Sequence, residues 1–374
     1  MREKWLDLRL GDILKVKSGH DQKTIECENG KYQILGTGGE IGRTNTFLYD
    51  KPSVLIGRKG TINKPMYKNE PFWTVDTLFY TEIKDNFSPK YVYYLFNTIN
   101  WLRYNEASGV PSLTSSTIEK IKVKVPDLET QQKIVQVLDL WNKSITELDR
   151  TITLERMKNE SLSQKIAKIA FAKESIKKPM KNYLKERKQY QKKAGGLPHV
   201  SLTKEGVVPK SERYNRDFLV KNDDEKQYKV TKKGDICYNP ANLKFGVICR
   251  NHLGDGIFSP IYVTFEIQNA NPDYLEALLI SSEFVGRSLR YEQGTVYERK
   301  AVNPEDLLRM EVFLPSVEEQ KRIAKIIINQ KEYIDKLKKL KMLLAQQYKY
   351  LLNHLISGDY DLTNIKLENG KEQQ

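Results

Sequence analysis

The sequence predicts an α+β protein in which two β-rich domains are separated by two long helices that pair as an antiparallel coiled coil. Three observations support this prediction. A motif that begins at residue 121 recurs 189 residues later without a gap. Each copy leads into roughly 40 residues with a heptad apolar pattern. Each copy is also preceded by apolar–polar alternation with glycine-rich turns, which is typical of β-strands.

The repeated motif is a short apolar strand that ends in proline and leads into a helix. The first copy, residues 121–138, reads IKVKVPDLETQQKIVQVL, and the second, residues 310–327, reads MEVFLPSVEEQKRIAKII. Gln131 thereby matches Gln320. A repeat of this length is not that of a solenoid, whose units are about 20 to 50 residues long. It indicates duplication of a whole domain together with its helix.

Each long helix carries one apolar stripe whose members are spaced alternately four and three residues apart. The first runs from Ile134 to Ile152 and resumes at Leu162 after a polar interruption, and the second runs from Ile323 to Leu355. This spacing keeps one seam toward a partner helix. Two matched stripes in one chain favour mutual pairing, which is antiparallel because the chain must travel out along one helix and return along the other. Separate cores, or dimerisation with other chains, are the alternatives.

The pattern predicts five segments along the chain. They are a first domain at residues 1–128, a long helix at 129–172, a second domain at 173–317, a second long helix at 318–357 and a C-terminal tail at 358–374. In the first domain, residues 32–83 have a strand pattern and residues 89–105 a helical period. In the second domain, the stretches KKGDICYNP and FSPIYVTFEI are predicted strands. The Lys-rich stretch 172–196 is interpreted as the connection between the halves.

The charge of the chain favours a polyanionic partner. Sixty-two Lys and Arg residues against 48 Asp and Glu residues give a formal net charge of +14, and lysines or arginines placed on phosphates release condensed counterions. The three cysteines are too few for a disulfide framework and suit a reducing compartment. No signal peptide and no apolar run of about 20 residues is evident, so we expect a cytoplasmic protein without a membrane span.

The motifs of the expected enzyme classes are missing. A methyltransferase would need a cofactor loop such as F-x-G-x-G and an Asn/Asp-Pro-Pro-aromatic tetrad, and an ATP-driven translocase would need a P-loop. The nearest stretches, GTGGEIG and YNPAN, are interpreted as turns. Cys237, Cys249 and His252 could supply three metal ligands, but a fourth is lacking. We therefore expect no catalytic residue, no metal and no cofactor.

Polar and basic residues on loops are the candidate contact residues. Arg, Asn and Gln side chains suit the edges of purines, while Lys, Ser and Thr suit phosphates. Two loops that follow the predicted domain helices correspond in position, although loops are generally polar and single residues carry little weight. The predicted DNA contacts are Arg43, Arg58, Lys59, Thr61, Asn63, Lys64, Lys68, Arg103, Tyr104, Ser112, Thr114, Ser115, Asn242, Lys244, Arg290, Tyr291, Gln293, Thr295, Tyr297, Arg299 and Lys300.

Residues Tyr32–Tyr80 resemble the target-recognition domain of type I restriction-modification specificity subunits. That family carries a G-x-G-G turn, an apolar-I-G-R-x-G strand and turn, and a P-F-W-x-x-D-T-L-x-Y strand, which here read GTGG, LIGRKG and PFWTVDTLFY. Leu8–Gly19 resembles the first strand of the family, and the helix starts at Pro126 and Pro315 resemble its central and C-terminal regions. The second domain departs from the pattern, with ICYN at the place of I-G-R-x and FSPIY at the place of the W-x-x-D-T strand.

The resemblance implies a non-catalytic specificity subunit whose two target-recognition domains each read half of a bipartite target. The implied partners are double-stranded DNA, two modification subunits that supply methyl transfer and two restriction subunits that supply ATP-driven cleavage. Three alternatives stay open at this point: a complex that only methylates, a fused methyltransferase-specificity enzyme, and a coiled-coil adaptor with incidental basic charge.

Overall fold

The chain forms two compact units. The computed structural model describes residues 5–204, 206–210, 226–293 and 301–360. Unit 1 comprises residues 1–149 with 340–374, and unit 2 comprises residues 150–339. Both unit boundaries fall inside the long helices, so each unit contains part of each helix. No helix in the described part of the chain is long and apolar enough to cross a membrane.

Unit 1 is built on an antiparallel four-stranded sheet in the order β2-β8-β5-β6, beside a three-stranded sheet β4-β3-β7 and a β1–β9 pair. Its strands are β1 (Leu6–Arg9), β2 (Leu14–Ser18), β3 (Tyr32–Gly36), β4 (Gly39–Thr44), β5 (Ser53–Gly57), β6 (Met66–Lys68), β7 (Phe72–Thr74), β8 (Leu78–Ile83) and β9 (Lys122–Val125). Its α-helices are α1 (Leu10–Ile13), α2 (Pro89–Thr98), α3 (Ser115–Glu119), the first part of α4 (Leu128–Ala170) and the last part of α8 (Val317–Ser357).

The local sequence explains the central elements of unit 1. Strand β5 reads SVLIG and is buried along its whole length, as expected of a central apolar strand. Helix α2 begins where the Ser88 hydroxyl accepts a hydrogen bond from the backbone of Tyr91 and Pro89 occupies the first turn. Its buried face packs over β5 and against Ile134 and Leu138 of α4. The β-rich body of unit 1 and the long helix therefore share one core.

Unit 2 repeats this plan with an antiparallel four-stranded sheet in the order β11-β19-β16-β17. Its strands are β10 (Lys178–Pro179), β11 (Leu184–Glu186), β12 (Tyr190–Lys192), β13 (Val200–Thr203), β14 (Gly206–Pro209), β15 (Gln227–Thr231), β16 (Ile236–Tyr238), β17 (Ile248–Arg250), β18 (Gly256–Phe258), β19 (Val263–Ile267), β20 (Glu292–Gln293), β21 (Ala301–Val302) and β22 (Glu311–Val312). Its helices are the rest of α4, α5 (Pro272–Leu279), α6 (Ser282–Ser288), α7 (Pro304–Arg309) and the first part of α8 (Val317–Ser357).

The equivalent order of the two four-stranded sheets confirms the α+β architecture with two β-rich domains. The pair β10–β22 likewise corresponds to β1–β9. The units differ in the three-stranded sheet, because β3 pairs with β7 in parallel whereas β15 pairs with β18 antiparallel. The interpretation of residues 172–196 as a connection is wrong for most of the stretch, since β10, β11 and β12 lie within it and β11 is the edge of the main sheet.

The long helices pair antiparallel, as the heptad pattern predicts. In unit 1 the Asn142 side chain donates a hydrogen bond to the Tyr348 hydroxyl at 3.1 Å, and Lys341 forms an ion pair with Asp149. The residue number thus rises along α4 as it falls along α8. In unit 2 the Gln330 side-chain amide donates to a carbonyl of α4 at 3.2 Å, at the polar interruption of the apolar stripe.

A matched glutamine anchors the start of each long helix to its domain. The Gln131 Oε1 atom accepts a hydrogen bond from the Ser88 backbone at 2.9 Å, and its Nε2 donates to the Pro126 carbonyl at 2.9 Å. Gln320 makes the equivalent bonds to Asn271 and to the carbonyl of its own proline, both at 2.8 Å. Both glutamines are only 1% exposed. Because Ser88 and Asn271 cap α2 and α5, the repeated Gln fixes the domain helix to the long helix.

Candidate nucleic-acid interface

In unit 1 the β5–β6 loop meets the loop that follows the domain helix. Lys59 and Ser112 form an isolated antiparallel bridge. The Gly60 amide donates to the Pro111 carbonyl at 2.8 Å, and the Leu113 amide donates to a carbonyl of the β5–β6 loop at 2.9 Å. Two segments that the sequence predicts separately as contact loops are thus joined into one surface.

The turn after β5 explains the I-G-R-x-G pattern. A Cβ atom on Gly57 would lie 2.2 Å from the Thr61 carbonyl oxygen, and Gly60 has a φ of +88°. The first position therefore tolerates no side chain, and the second has a left-handed conformation that favours glycine. The Thr77 carbonyl, in the D-T-L motif, accepts a hydrogen bond from the Arg58 amide at 2.8 Å. Both motifs therefore build one rigid turn.

This turn presents basic and polar side chains to solvent. Lys59, Asn63 and Lys64 are exposed and Thr61 is half-buried, while Ile62 between them is buried and anchors the loop. The alternation leaves three donor groups on one short, fixed segment. Such an arrangement can bind phosphates and base edges without first ordering the loop.

The neighbouring loop contributes fewer free groups than the sequence predicts. Arg103 is exposed, with Tyr104 half-buried beside it. The Thr114 hydroxyl caps α3 by accepting from the Thr117 amide at 3.2 Å and also donates to Glu106. Ser112 and Ser115 are half-buried next to the bridge and at the first turn of α3. Thr114 thus has a structural role whether or not it reaches DNA.

Arg43 and Lys68 join a second polar cluster, centred on Gln33 in β3. Gln33 faces Arg43 across the β3–β4 pair, and its amide donates to the Glu40 carboxylate, which also pairs with Arg43 at 3.0 Å. Lys68 donates to the Gln33 side-chain oxygen. The Glu70 carboxylate lies 3.8 Å from Lys68 Nζ, so both cations have a carboxylate partner and are weaker phosphate ligands than Lys59 or Lys64.

In unit 2 the corresponding turn lies against β21, the strand that follows the domain helices. The β16–β17 loop is a 3₁₀ turn over Pro240–Phe245, and the Tyr238 hydroxyl below it donates to the carbonyl of Val302 in β21 at 2.9 Å. Asn242 and Lys244 are exposed on this turn. The turn is held at its start by the Asn239 side chain and at its end by a left-handed glycine.

Sequence reasoning missed an exposed aromatic on this turn. Phe245 is 61% exposed, and the Lys244 Nζ atom lies 5.2 Å from its ring centroid. An exposed ring beside a basic residue suits stacking on a base or insertion between base steps. The signal in the sequence is a phenylalanine directly after a predicted contact lysine.

The remaining predicted contacts have mixed surroundings. Arg290 and Tyr291 are exposed. The Gln293 amide donates to the Asp306 carboxylate at 2.7 Å and its oxygen accepts from Asn303, so this side chain ties β20 to α7. Four predicted contacts lie outside the described residues: Thr295, Tyr297, Arg299 and Lys300.

A buried charge cluster in unit 2 stabilises the fold rather than forming an acid catalyst. The Glu276 carboxylate is 2.9 Å from His252 Nε2, 3.1 Å from Lys331 Nζ and 3.7 Å from Arg250 Nε. Burial raises the pKa of Glu276, but the hydrogen bond from His252 and the nearby positive charges outweigh it and lower the pKa to about 2. The carboxylate stays ionised and ties α8 to α5 through Lys331.

The cysteines do not form a reactive or metal-binding group in the described part of the chain. Cys237 and Cys249 face each other across β16 and β17 and are buried. Burial raises the pKa of Cys237 well above its ordinary value and that of Cys249 to about 12, so both are neutral thiols. Among the described residues no group of three or more His, Cys, Asp or Glu side chains is placed to hold a metal ion.

The first half of the sequence matches a known family. Residues 2–164 match the family model of the type I restriction modification DNA specificity domain. They cover the β-rich body of unit 1 and most of α4. This part of the chain is similar to a type I DNA specificity domain. The match includes the loop pair around Lys59 and Ser112, so that surface lies within the matched region.

Curated proteins to which the chain is similar are named specificity subunits. The chain is similar to the type I restriction enzyme EcoprrI specificity subunit of Escherichia coli, at 25% identity over 151 residues, which is 38% of this chain and 37% of that protein. It is also similar to the type I restriction enzyme MjaIX specificity subunit of Methanocaldococcus jannaschii, at 28% identity over 122 residues, which is 30% of this chain and 28% of that protein. The chain thus aligns with about a third of the length of each relative.

Solved structures extend the likeness of fold beyond the matched domain. The type I restriction-modification system S subunit from M. genitalium superposes with a TM-score of 0.58 at 15% identity, over 96% of this chain and 97% of that chain. A chain from a structure of type I R-M complex assembly and conformational transition has a TM-score of 0.58 at 11% identity, over 95% and 98%. Both units and both long helices therefore belong to the shared fold.

Proposed function

We propose that this chain is the DNA-recognition subunit of a type I restriction-modification complex, in which each unit reads one half of a bipartite target. The observation that carries this proposal is the repeated position of one turn. In unit 1 the loop after the central strand β5 is bridged to the loop that follows the domain helix, and in unit 2 the turn after the matching strand β16 lies against β21, which follows the domain helices. The first of these surfaces lies in the region that matches the family model of the type I restriction modification DNA specificity domain. We propose that the chain contributes recognition and no catalytic group.

The functional segments are proposed from the repeat and the positions of the glutamine anchors. We propose target-recognition domains at residues 1–128 and 173–317, long helices at 129–172 and 318–357 and a tail at 358–374. The helix bounds are supported by α4 and α8, which begin at Leu128 and Val317. Since double-stranded DNA is the proposed ligand, we propose that the chain works in the cytoplasm.

The contact residues differ in the support they receive. Lys59, Asn63 and Lys64 in unit 1, and Asn242 and Lys244 in unit 2, are exposed on rigid turns and are the best supported. Arg103, Arg290 and Tyr291 are exposed nearby. The other predicted residues remain in the proposal with secondary roles, because Arg43, Lys68, Thr114 and Gln293 already bind neighbours within the chain.

The long helices are the proposed docking surface for two modification subunits, with two restriction subunits completing the complex. Exposed polar side chains flank the seam, among them Lys143 and Arg150 on α4 and Lys336 on α8. The assembly named for one of the structural neighbours supports a multi-subunit complex. Light scattering of the purified complex should give two modification subunits per chain, and a saturated 1:1 complex would contradict this stoichiometry.

A matched pair of asparagine variants tests the division of labour between the units. Asn63 and Asn242 are exposed on the corresponding loops of units 1 and 2. The bipartite target is first mapped by sequencing methylated DNA from cells that carry the wild-type chain and its modification partner. We expect Asn63→Ala to relax one half of that target and Asn242→Ala the other, because a lost base contact costs about 1 to 3 kcal/mol of discrimination.

The outcomes separate the competing functions. A single undivided target, or variants that each alter both halves, would contradict the assignment of one half to each unit. A wild-type complex without any sequence preference would favour a coiled-coil adaptor instead. Variants Lys59→Ala and Lys64→Ala should weaken all DNA sequences equally and reduce the salt dependence by about one unit per lost phosphate contact.

A further inference from the structure

A cationic pocket lies in unit 2 where the end of α4, the start of β10 and the ends of α6 and α7 come together. Its volume is about 350 Å³. It is lined by four cationic side chains and one carboxylate, Glu311, with two aromatic residues, Phe171 and Tyr291, completing the wall. The four cations are Lys177, Arg287, Arg290 and Arg309.

Arg287 is fixed in this pocket before any ligand binds. Its guanidinium carbon lies 4.5 Å from the centroid of the Phe171 ring, and its Nε donates to the Glu283 carboxylate at 2.6 Å. Among the described residues nothing accepts a hydrogen bond from its two terminal nitrogens. An arginine held in this way loses little rotamer entropy when it binds an anion.

The other three cationic side chains make fewer contacts within the chain and are less neutralised by carboxylates. Arg290 follows α6 on a 3₁₀ turn and Lys177 directly precedes β10, and neither has an anionic partner in the described part of the chain. Arg309 ends α7, is 76% exposed in its side chain and contacts Asp306 only at 3.5 Å. Glu283, Asp306 and Glu311 therefore balance only part of the charge of the four cations, and the pocket keeps an excess of positive charge.

We propose that this pocket binds a phosphate group of the DNA backbone, an inference that rests on the proposed function. Several cations that converge on one small concave space suit a compact anion with oxygens on every side. A base edge is flat and presents one or two neutral acceptors, so it would leave most of these charges unpaired. Tyr291, whose side chain carries a hydroxyl donor, also lines the pocket. Arg290 is thereby a positioning contact to the backbone, not a reader of guanine.

The sequence of unit 1 has similar residue types at the matching places. Arg103 and Tyr104 end its domain helices as Arg290 and Tyr291 do in unit 2. Lys120 precedes Ile121 and β9, at the place that Arg309 has before β22. Both duplicated domains can thus bind the DNA backbone at this position even though their contacts to bases differ.

Three variants in the complete complex test the inference: Arg290→Gln, Arg290→Lys and Arg309→Gln. DNA affinity is measured on cognate and non-cognate duplexes as a function of salt. We expect each Gln variant to lower both affinities by the same factor and to reduce the slope of log K against log salt by about 0.9. Arg290→Lys should keep the slope and the ratio of the two affinities, since a lysine still supplies the charge. Lys233→Gln, an exposed change on a turn of the same unit, is the matched control and should change neither.

Each other outcome overturns the inference. If Arg290→Lys lowers the ratio of cognate to non-cognate affinity, Arg290 reads a base edge. If both Gln variants keep the wild-type slope while the wild type binds DNA, the pocket is not a backbone site and the proposed function stands. If inorganic phosphate raises the melting temperature of the wild type but not of Arg290→Gln, with an unchanged DNA slope, the ligand is free phosphate. If the wild-type complex binds no DNA, the proposed function and this inference fail together.

Discussion

Replacing Gln131 with leucine should cost unit 1 a large part of its stability. Leucine fills a similar volume but leaves the Ser88 amide and the Pro126 carbonyl without their hydrogen-bond partners at a place that is 1% exposed. Each unpaired buried group costs about 1 to 3 kcal/mol, so we expect the two together to cost about 2 to 6 kcal/mol. At a urea m-value of roughly 2 kcal/mol/M, the midpoint of unfolding should fall by about 1 to 3 M.

Tryptophan fluorescence reports this change selectively. The four tryptophans are Trp5, Trp73, Trp101 and Trp141, and all lie in unit 1. Urea titrations should therefore show the shift by fluorescence. For Gln320→Leu, the same change in unit 2, the shift of the urea midpoint should appear mainly in the far-ultraviolet circular dichroism.

An exposed glutamine on α8 provides the control. Gln346→Leu should change the stability by less than about 0.5 kcal/mol. A midpoint for Gln131→Leu within 0.2 M of the wild type, at an unchanged m-value, would refute the anchoring argument. The two hydrogen bonds would then contribute nothing that water does not replace.

Three further changes have expected outcomes. The pKa of Glu276 is lowered from 4.5 to about 2 in the folded chain, so its ionised form stabilises the fold at neutral pH by about 3 kcal/mol. The difference in unfolding free energy between wild type and Glu276→Gln, measured in urea, should be complete above pH 5 and shrink as the pH falls toward 2. A difference that does not depend on pH would contradict the role of the charge cluster. Tyr274→Phe should leave the melting temperature nearly unchanged or raise it, because no described residue forms a hydrogen bond with the buried Tyr274 hydroxyl. A loss of more than about 1 kcal/mol in unfolding free energy would show that this hydroxyl has a hydrogen-bond partner. Gly60→Ala should lower the stability by about 1 kcal/mol because Gly60 has a positive φ, and it should also lower the affinity for DNA. Gly109→Ala, in the neighbouring loop, should change neither the stability nor the affinity.

Local patterns predicted the duplicated architecture well. The strand-proline-helix repeat and the heptad stripes depend on residues close together in the chain, and α4 begins at Leu128, one residue before the predicted start. The stretch FSPIYVTFEI, predicted as a strand, is instead divided between β18 and β19 by a turn at residues 260–262. Pro260 explains the break, because it supplies no amide hydrogen to a central strand.

The joining of loops could not be predicted from local patterns. Lys59 and Ser112 lie 53 residues apart, and only the strand order β8-β5-β6 brings them into one bridge. The repeat identified Gln131 as a matched residue but not its bond to Ser88, since that contact depends on how the domain helix packs on the long helix. Pattern reasoning therefore singled out two loops that the structure joins in unit 1, but it did not show which of their side chains already bind neighbours within the chain.

The division of α8 between the two units has a consequence for biosynthesis. Unit 1 needs Leu352 and Leu355, close to the C-terminal end of α8, to complete the core around Ile134 and Leu138. Unit 2 is continuous from residue 150 to residue 339. A ribosome therefore delivers every residue of unit 2 before the last residues that unit 1 requires. The N-terminal part of unit 1 therefore cannot complete its core until translation is almost finished. A premature stop after residue 339 would leave unit 2 whole and would destabilise unit 1, at the N-terminal end of the sequence.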